Sequence, residues 1–87
     1  MKLYLISQTQ NHNYDTYDGA VVRAMNEDQA RHMDPGGSNG DPMIWEKPYS
    51  SWGSPWCSGP EHVRVELIGN ATKGSVSGVV CASFNAG

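Results

Sequence analysis

Apolar and polar residues alternate most cleanly at residues 62–68, with Val63, Val65 and Leu67 on one face and Arg64 and Glu66 on the other. A period of two predicts a half-buried strand. Residues 19–25 repeat the pattern: Ala20, Val22 and Ala24 share one face, while Val21 and Arg23 take the other, which directs Arg23 away from the core. The run Leu3, Tyr4, Leu5 and Ile6 within residues 2–8 is apolar on both sides, as an inner strand requires. One of its faces would lie under a helix, and the long loop or a partner would partly cover the other. Residues 77–84 predict the last strand, with Val79, Cys81 and Ser83 alternating against Val80, Ala82 and Phe84, and Cys81 assigned to the core.

A helix is predicted over residues 27–33. Asn26 is its N-cap, Gln29 completes an approximate capping box, and Glu27 and Asp28 suit the positive end of the helix dipole. Ala30 and Met33 would face the sheet, and Pro35, Gly36 and Gly37 stop the helix. Residues 69–78 read as a turn or short hairpin loop between the last two strands. The order is therefore β-β-α-long loop-β-β, a single small α+β domain over residues 1–87: a mainly antiparallel four-stranded sheet with one short helix. One short helix cannot cover both faces of such a sheet. The long loop folding back, or a second subunit, would have to cover the other.

Composition narrows the function. A chain of 87 residues buries only about 60–65% of its unfolded surface, so extra stabilisation from a homo-oligomer is expected. The net charge of −3 and six scattered cations oppose nucleic-acid binding, which draws on clustered Lys and Arg. No apolar run approaches the roughly 18–20 residues that cross a bilayer, so no membrane partner is expected. The opening residues lack the apolar stretch of a signal peptide. A cytoplasmic location is expected, with Cys57 and Cys81 reduced.

Residues 34–60 form a Trp/Pro/Gly-rich segment that holds all three tryptophans, Trp45, Trp52 and Trp56, together with Tyr49. A connection this long without periodicity is more often a binding loop or lid than a passive link. Its rings offer stacking surfaces for flat ligands, and the competing reading is a satellite core that fastens the loop to the sheet. Arg23, Arg31 and Arg64 are the candidate anion anchors, because a guanidinium forks onto phosphate or carboxylate; taken singly, each is also an ordinary solvated position. Asn11, Asp15 and Tyr17, from the first polar loop, complete the predicted ligand set.

Catalytic chemistry finds little support. Cys57 precedes His62 by five residues, a spacing that more often means a buried free thiol than a nucleophile and base. His12, His32, His62, Asp15, Asp18 and Cys57 show no recognised ligand spacing, so no metal and no cofactor is expected. Neither a dinucleotide fingerprint nor a P-loop occurs. The sequence predicts a protein that is not an enzyme.

The opening MKLYLISQ, the segment YDTYDGAVVRA with the EDQARHMDP helix, and the ending VRVELIGNA with GVVCASFNAG resemble a family of short phage and prophage proteins. The resemblance covers both ends of the chain and leaves out the middle loop. It implies an anti-defence protein that binds and sequesters a nucleotide-derived immune signal in the host cytoplasm without catalysis. The alternative it implies is a protein-protein inhibitor of a host defence complex, with the Trp-rich loop as its epitope.

Overall fold

Two inner strands carry the architecture. In a computed structural model, which describes residues 1–11, 16–37, 40–45, 56–74 and 76–85, β1 (Lys2–Ser7) pairs antiparallel with β2 (Thr16–Ala24), setting Leu5 opposite Val21. β3 (Arg64–Asn70) adds antiparallel to the free side of β1, and β4 (Gly78–Asn85) to the free side of β2. The sheet order is β3-β1-β2-β4, with one helix, α1 (Glu27–Arg31), between β2 and β3. The α+β arrangement expected from the alternation is thus present, with β1 as an inner strand.

Several boundaries shift. β2 begins at Thr16, ahead of its alternating run, and β3 begins only at Arg64 because Pro60–His62 forms a 3-10 turn. α1 ends at Arg31, since Met33 already bridges to Pro42 and the Met43 N–H donates to the His32 carbonyl at 2.7 Å. Asn26 caps the helix, its Oδ1 accepting from the Gln29 N–H at 2.8 Å, while Gln29 Oε1 accepts from the Met25 N–H at 2.6 Å. The reciprocal bond falls one residue earlier than in a capping box.

The hairpin expected between the last two strands does not form. β3 and β4 lie at opposite edges of the sheet, with β1 and β2 between them. Local turn chemistry could not reveal this, because both inner strands are apolar and each needs two neighbours. The Ala71 N–H donates to the Met1 carbonyl at 3.0 Å, and Arg23 Nε donates to the Val76 carbonyl at 2.8 Å, holding the connecting segment to the sheet.

The core lies on the helix side of the sheet, where Tyr4, Ile6, Val22 and Ala24 meet Ala30, Met33, Trp56, Cys57 and Val63. The described ends of the tryptophan segment therefore complete the face begun by α1. For the opposite face the sequence left open the loop or a second subunit, and the middle of that loop, residues 46–55, lies outside the described residues. A helix of five residues is too short to bury even one side of four strands. Among the described residues, no helix packs on the other face, which presents Leu3, Leu5, Val21 and Cys81.

Cys81 is exposed, not in the core. The pairing passes from Val21 opposite Cys81 to Val22 opposite Val79, so Val80 is an extra residue that reverses the alternation. Val79 thereby packs on the core and Cys81 turns to the open face. Two glycines meet close constraints. A Cβ on Gly19 would stand 2.9 Å from the Ile6 carbonyl oxygen, and Gly40, at φ +74°, would bring one within 3.1 Å of the Ser77 backbone. Among the described residues, no helix is long and apolar enough to cross a membrane.

Candidate functional site

The residues singled out from sequence divide between the two faces of the sheet. On the helix side, Trp56 has no exposed surface and sits in the core beside Cys57. Its carbonyl accepts from Asn11 Nδ2 at 3.0 Å. Asn11 is held in turn by Gln8: the Gln8 side-chain oxygen accepts from the Asn11 N–H at 2.7 Å, and its Nε2 donates to the carbonyls of Asn11 at 2.7 Å and Tyr17 at 2.9 Å. Gln8, 4% exposed, is thus the hub that ties the first loop to β2 and to the tryptophan segment. Ser58 N–H adds a bond to Gln10 Oε1 at 2.7 Å. Nothing in the alternation marked Gln8, because an amide closing a predicted strand reads as an ordinary polar strand end.

Trp45 is partly buried. Its Nε1 donates to the Cys57 carbonyl at 2.8 Å, and its ring meets His32 edge-on at 6.1 Å between centroids. Arg31 lies on the same side, with one guanidinium nitrogen donating to the Val63 carbonyl at 2.6 Å and the other 3.8 Å from Glu27. Tyr17 tilts against Phe84 at 4.8 Å. Five of the predicted ligand residues, Trp45, Trp56, Asn11, Arg31 and Tyr17, are therefore engaged in internal contacts: the first four join loop and helix segments to one another, and Tyr17 packs within the sheet. Tyr49, Trp52 and Asp15 lie outside the described residues.

The arginines do not converge. Arg31 is on the helix side, while Arg23 and Arg64 belong to the open face, Arg23 opposite Leu3 on β1 and Arg64 opposite Ser7. Four residues along a strand and two strand spacings across set their backbones roughly 13 Å and 10 Å apart in those directions. Arg64 is exposed and has no hydrogen-bond or ion-pair partner among the described residues.

Cys57 is buried, and its thiol donates to the Gly59 carbonyl at 3.3 Å. Burial pushes the thiol above its ordinary value, and the Glu61 carboxylate adds to the same direction. At neutral pH it is a protonated, shielded group, unlike a nucleophile. His62 instead has Nε2 3.6 Å from Glu61 Oε1 at the surface. Among the described residues, no three His, Cys, Asp or Glu side chains gather as a metal site would need.

The open face is the other candidate. A shallow hollow forms over Gly19, lined by Leu5, Val21, Cys81 and Ser83. Leu3 extends the apolar surface along β1, Arg23 and Arg64 stand at opposite ends, and Glu66 lies opposite Leu5. Its sequence signal was the two-sided apolar character of residues 2–8, which called for a cover on each side. No family model, curated protein or solved structure matches the chain, so the geometry carries the functional reading.

Proposed function

We propose that the protein is a non-enzymatic binding protein that acts by occupying a partner protein through the open face of its sheet. It would be an inhibitor of the anti-defence kind to which its resemblance to phage proteins points. One observation carries this reading: among the described residues, the helix and both ends of the tryptophan segment go to one face, leaving Leu3, Leu5, Val21 and Cys81 between charged residues on the other. An apolar centre with an Arg-bearing rim is the usual composition of a protein interface. The internal bonds of Asn11, Arg31 and Trp45 favour it further, because they leave few described groups to hold a small anion.

The test is affinity capture from host-cell extract, followed by reconstituted binding with the captured protein. Leu5→Lys and Arg64→Glu should each weaken that binding at least tenfold while the melting temperature stays within a few degrees of the original. Undiminished binding by both variants removes the open face as the epitope. Loss with Trp52→Ala alone moves the epitope to the tryptophan segment.

Sequestration of a nucleotide-derived signal is the second reading. Its support is the partly exposed ring of Trp45, standing edge-on to His32 near the end of α1. Thermal-shift screening with ADP-ribose derivatives and cyclic oligonucleotides checks it, since a ligand at about 100 times its dissociation constant stabilises the fold by about 2.7 kcal/mol. Absence of any shift removes this reading and leaves the first intact.

A further inference from the structure

We propose that β4 is a homotypic edge, where a second copy of the chain adds its own β4 antiparallel across a two-fold axis at Ala82. Two four-stranded sheets would thereby join into one of eight strands. Among the described residues nothing pairs with the outer side of β4. Exposed strand edges ordinarily carry charges or proline that discourage a further strand. β3, the opposite edge, carries Arg64 and Glu66. β4, eight residues reading GVVCASFN, has neither charge nor proline, and it exposes Val80 at 48% and Phe84 at 47%.

Its sequence is self-complementary. Val80 and Phe84 flank Ala82 at equal distance, as do Cys81 and Ser83. When Ala82 lies opposite its own copy, Val80 meets the copy's Phe84 on both sides of the axis, a β-branched residue against an aromatic. Cys81 then meets the copy's Ser83. The strand has no charge to repel its copy, even though the chain carries −3 overall. A foreign peptide could use the same edge, but the symmetry of the exposed residues about Ala82 selects a second copy of this chain.

Area gives a second reason, which rests on the function proposed above. Four strands at about 4.8 Å spacing and seven residues at about 3.4 Å give an open face of roughly 450 Å². A standard protein interface takes about 800 Å² from each partner. A two-fold axis perpendicular to the sheet puts both open faces on the same side, and side by side they reach that area.

Sedimentation at micromolar concentration should show a dimer. Ser83→Cys, a conservative change at an exposed position, places a thiol opposite the copy's Cys81. With oxidised glutathione as acceptor of two electrons and two protons per bond, it should cross-link to a covalent dimer on a non-reducing gel. Adding Cys81→Ser should abolish the cross-link, and Val80→Lys should shift the mass to monomer with its circular dichroism unchanged. A monomer at all concentrations without cross-linking overturns the proposal, as does a dimer that Val80→Lys leaves intact. A foreign polypeptide bound along β4 in place of the copy overturns it too. Leu5→Lys should leave the dimer mass unchanged, so failure of the dimer and failure of the open-face epitope read out separately.

Discussion

Replacing Trp56 with phenylalanine separates a structural ring from a binding ring. Trp56 has no exposed surface and lies among core residues that include Tyr4, Ile6, Met33 and Cys57. The substitution removes roughly 40 Å³, which at about 24 cal/mol per Å³ costs about 1 kcal/mol for the cavity and, with a similar transfer term, about 2 kcal/mol in all. A domain of this size has a stability of about 4–13 kcal/mol at typical values per residue, so the variant should fold but melt lower. The expected fall is about 8–16 °C, taking about 4–8 °C per kcal/mol. Urea titration followed by far-ultraviolet circular dichroism gives the free energy directly. A loss below about 0.5 kcal/mol, the range of surface substitutions, would refute the placement of this ring in the core.

Three further expectations test the loops and the buried thiol. Gln8→Ala should cost about 2–4 kcal/mol by leaving three part-buried backbone groups without their amide partner; Gln8→Glu should cost more at neutral pH, because a carboxylate would face the carbonyls of Asn11 and Tyr17. Urea midpoints of the two variants check the order, and a milder effect for Glu would contradict the assigned amide orientation. Gly40→Ala should destabilise more than Gly74→Ala: both sites have positive φ and share a strain of about 1–2 kcal/mol, but only Gly40 presses on the Ser77 backbone. Equal melting temperatures would remove that close contact. Because burial raises the Cys57 pKa, the folded state holds the thiol proton beyond pH 9.0, the ordinary value, where the unfolded chain begins to lose it. The stability from Cys57 should therefore be complete below about pH 9 and fall as pH rises through the higher folded value. Cys57→Ala should flatten that alkaline limb, and a thiol reagent at pH 8 should modify exposed Cys81 well before Cys57.

Much of the scaffold was legible because burial imposes a period on sequence. Ala20, Val22 and Ala24 were placed together by alternation alone, and all three are buried. Asn26 announced its helix through the chemistry of unpaired N–H groups. What alternation cannot encode is which strands become neighbours and where an extra residue reverses the faces. Val80 did the latter, turning Cys81 outward and Val79 inward, and no composition signal marks such a bulge. Strand order escaped for a related reason: residues 71–77 have the Gly and Ser content of a turn, whether they join adjacent strands or strands at opposite edges. The tryptophans were recognisable as a group. The side of the sheet taken by Trp45 and Trp56 depended on how little α1 covers, a property of length that becomes decisive only in three dimensions.

The placement of β1 and β2 in the middle of the sheet also sets a timetable. During synthesis the central pair is complete once Ala24 has emerged, yet its flanking strands end at Asn70 and Asn85. At about 5–20 residues per second, the roughly 60 residues from Ala24 to Asn85 take about 3–12 s to make. For those seconds an apolar hairpin waits with both edges unpaired, and Lys2 must then find Asn70, and Thr16 must find Asn85, across most of the chain. Contacts of such long range slow folding into the millisecond-to-second regime. The nascent chain is therefore most prone to aggregate before its last strand leaves the ribosome, and the neutral strand that completes the sheet is also the last to arrive.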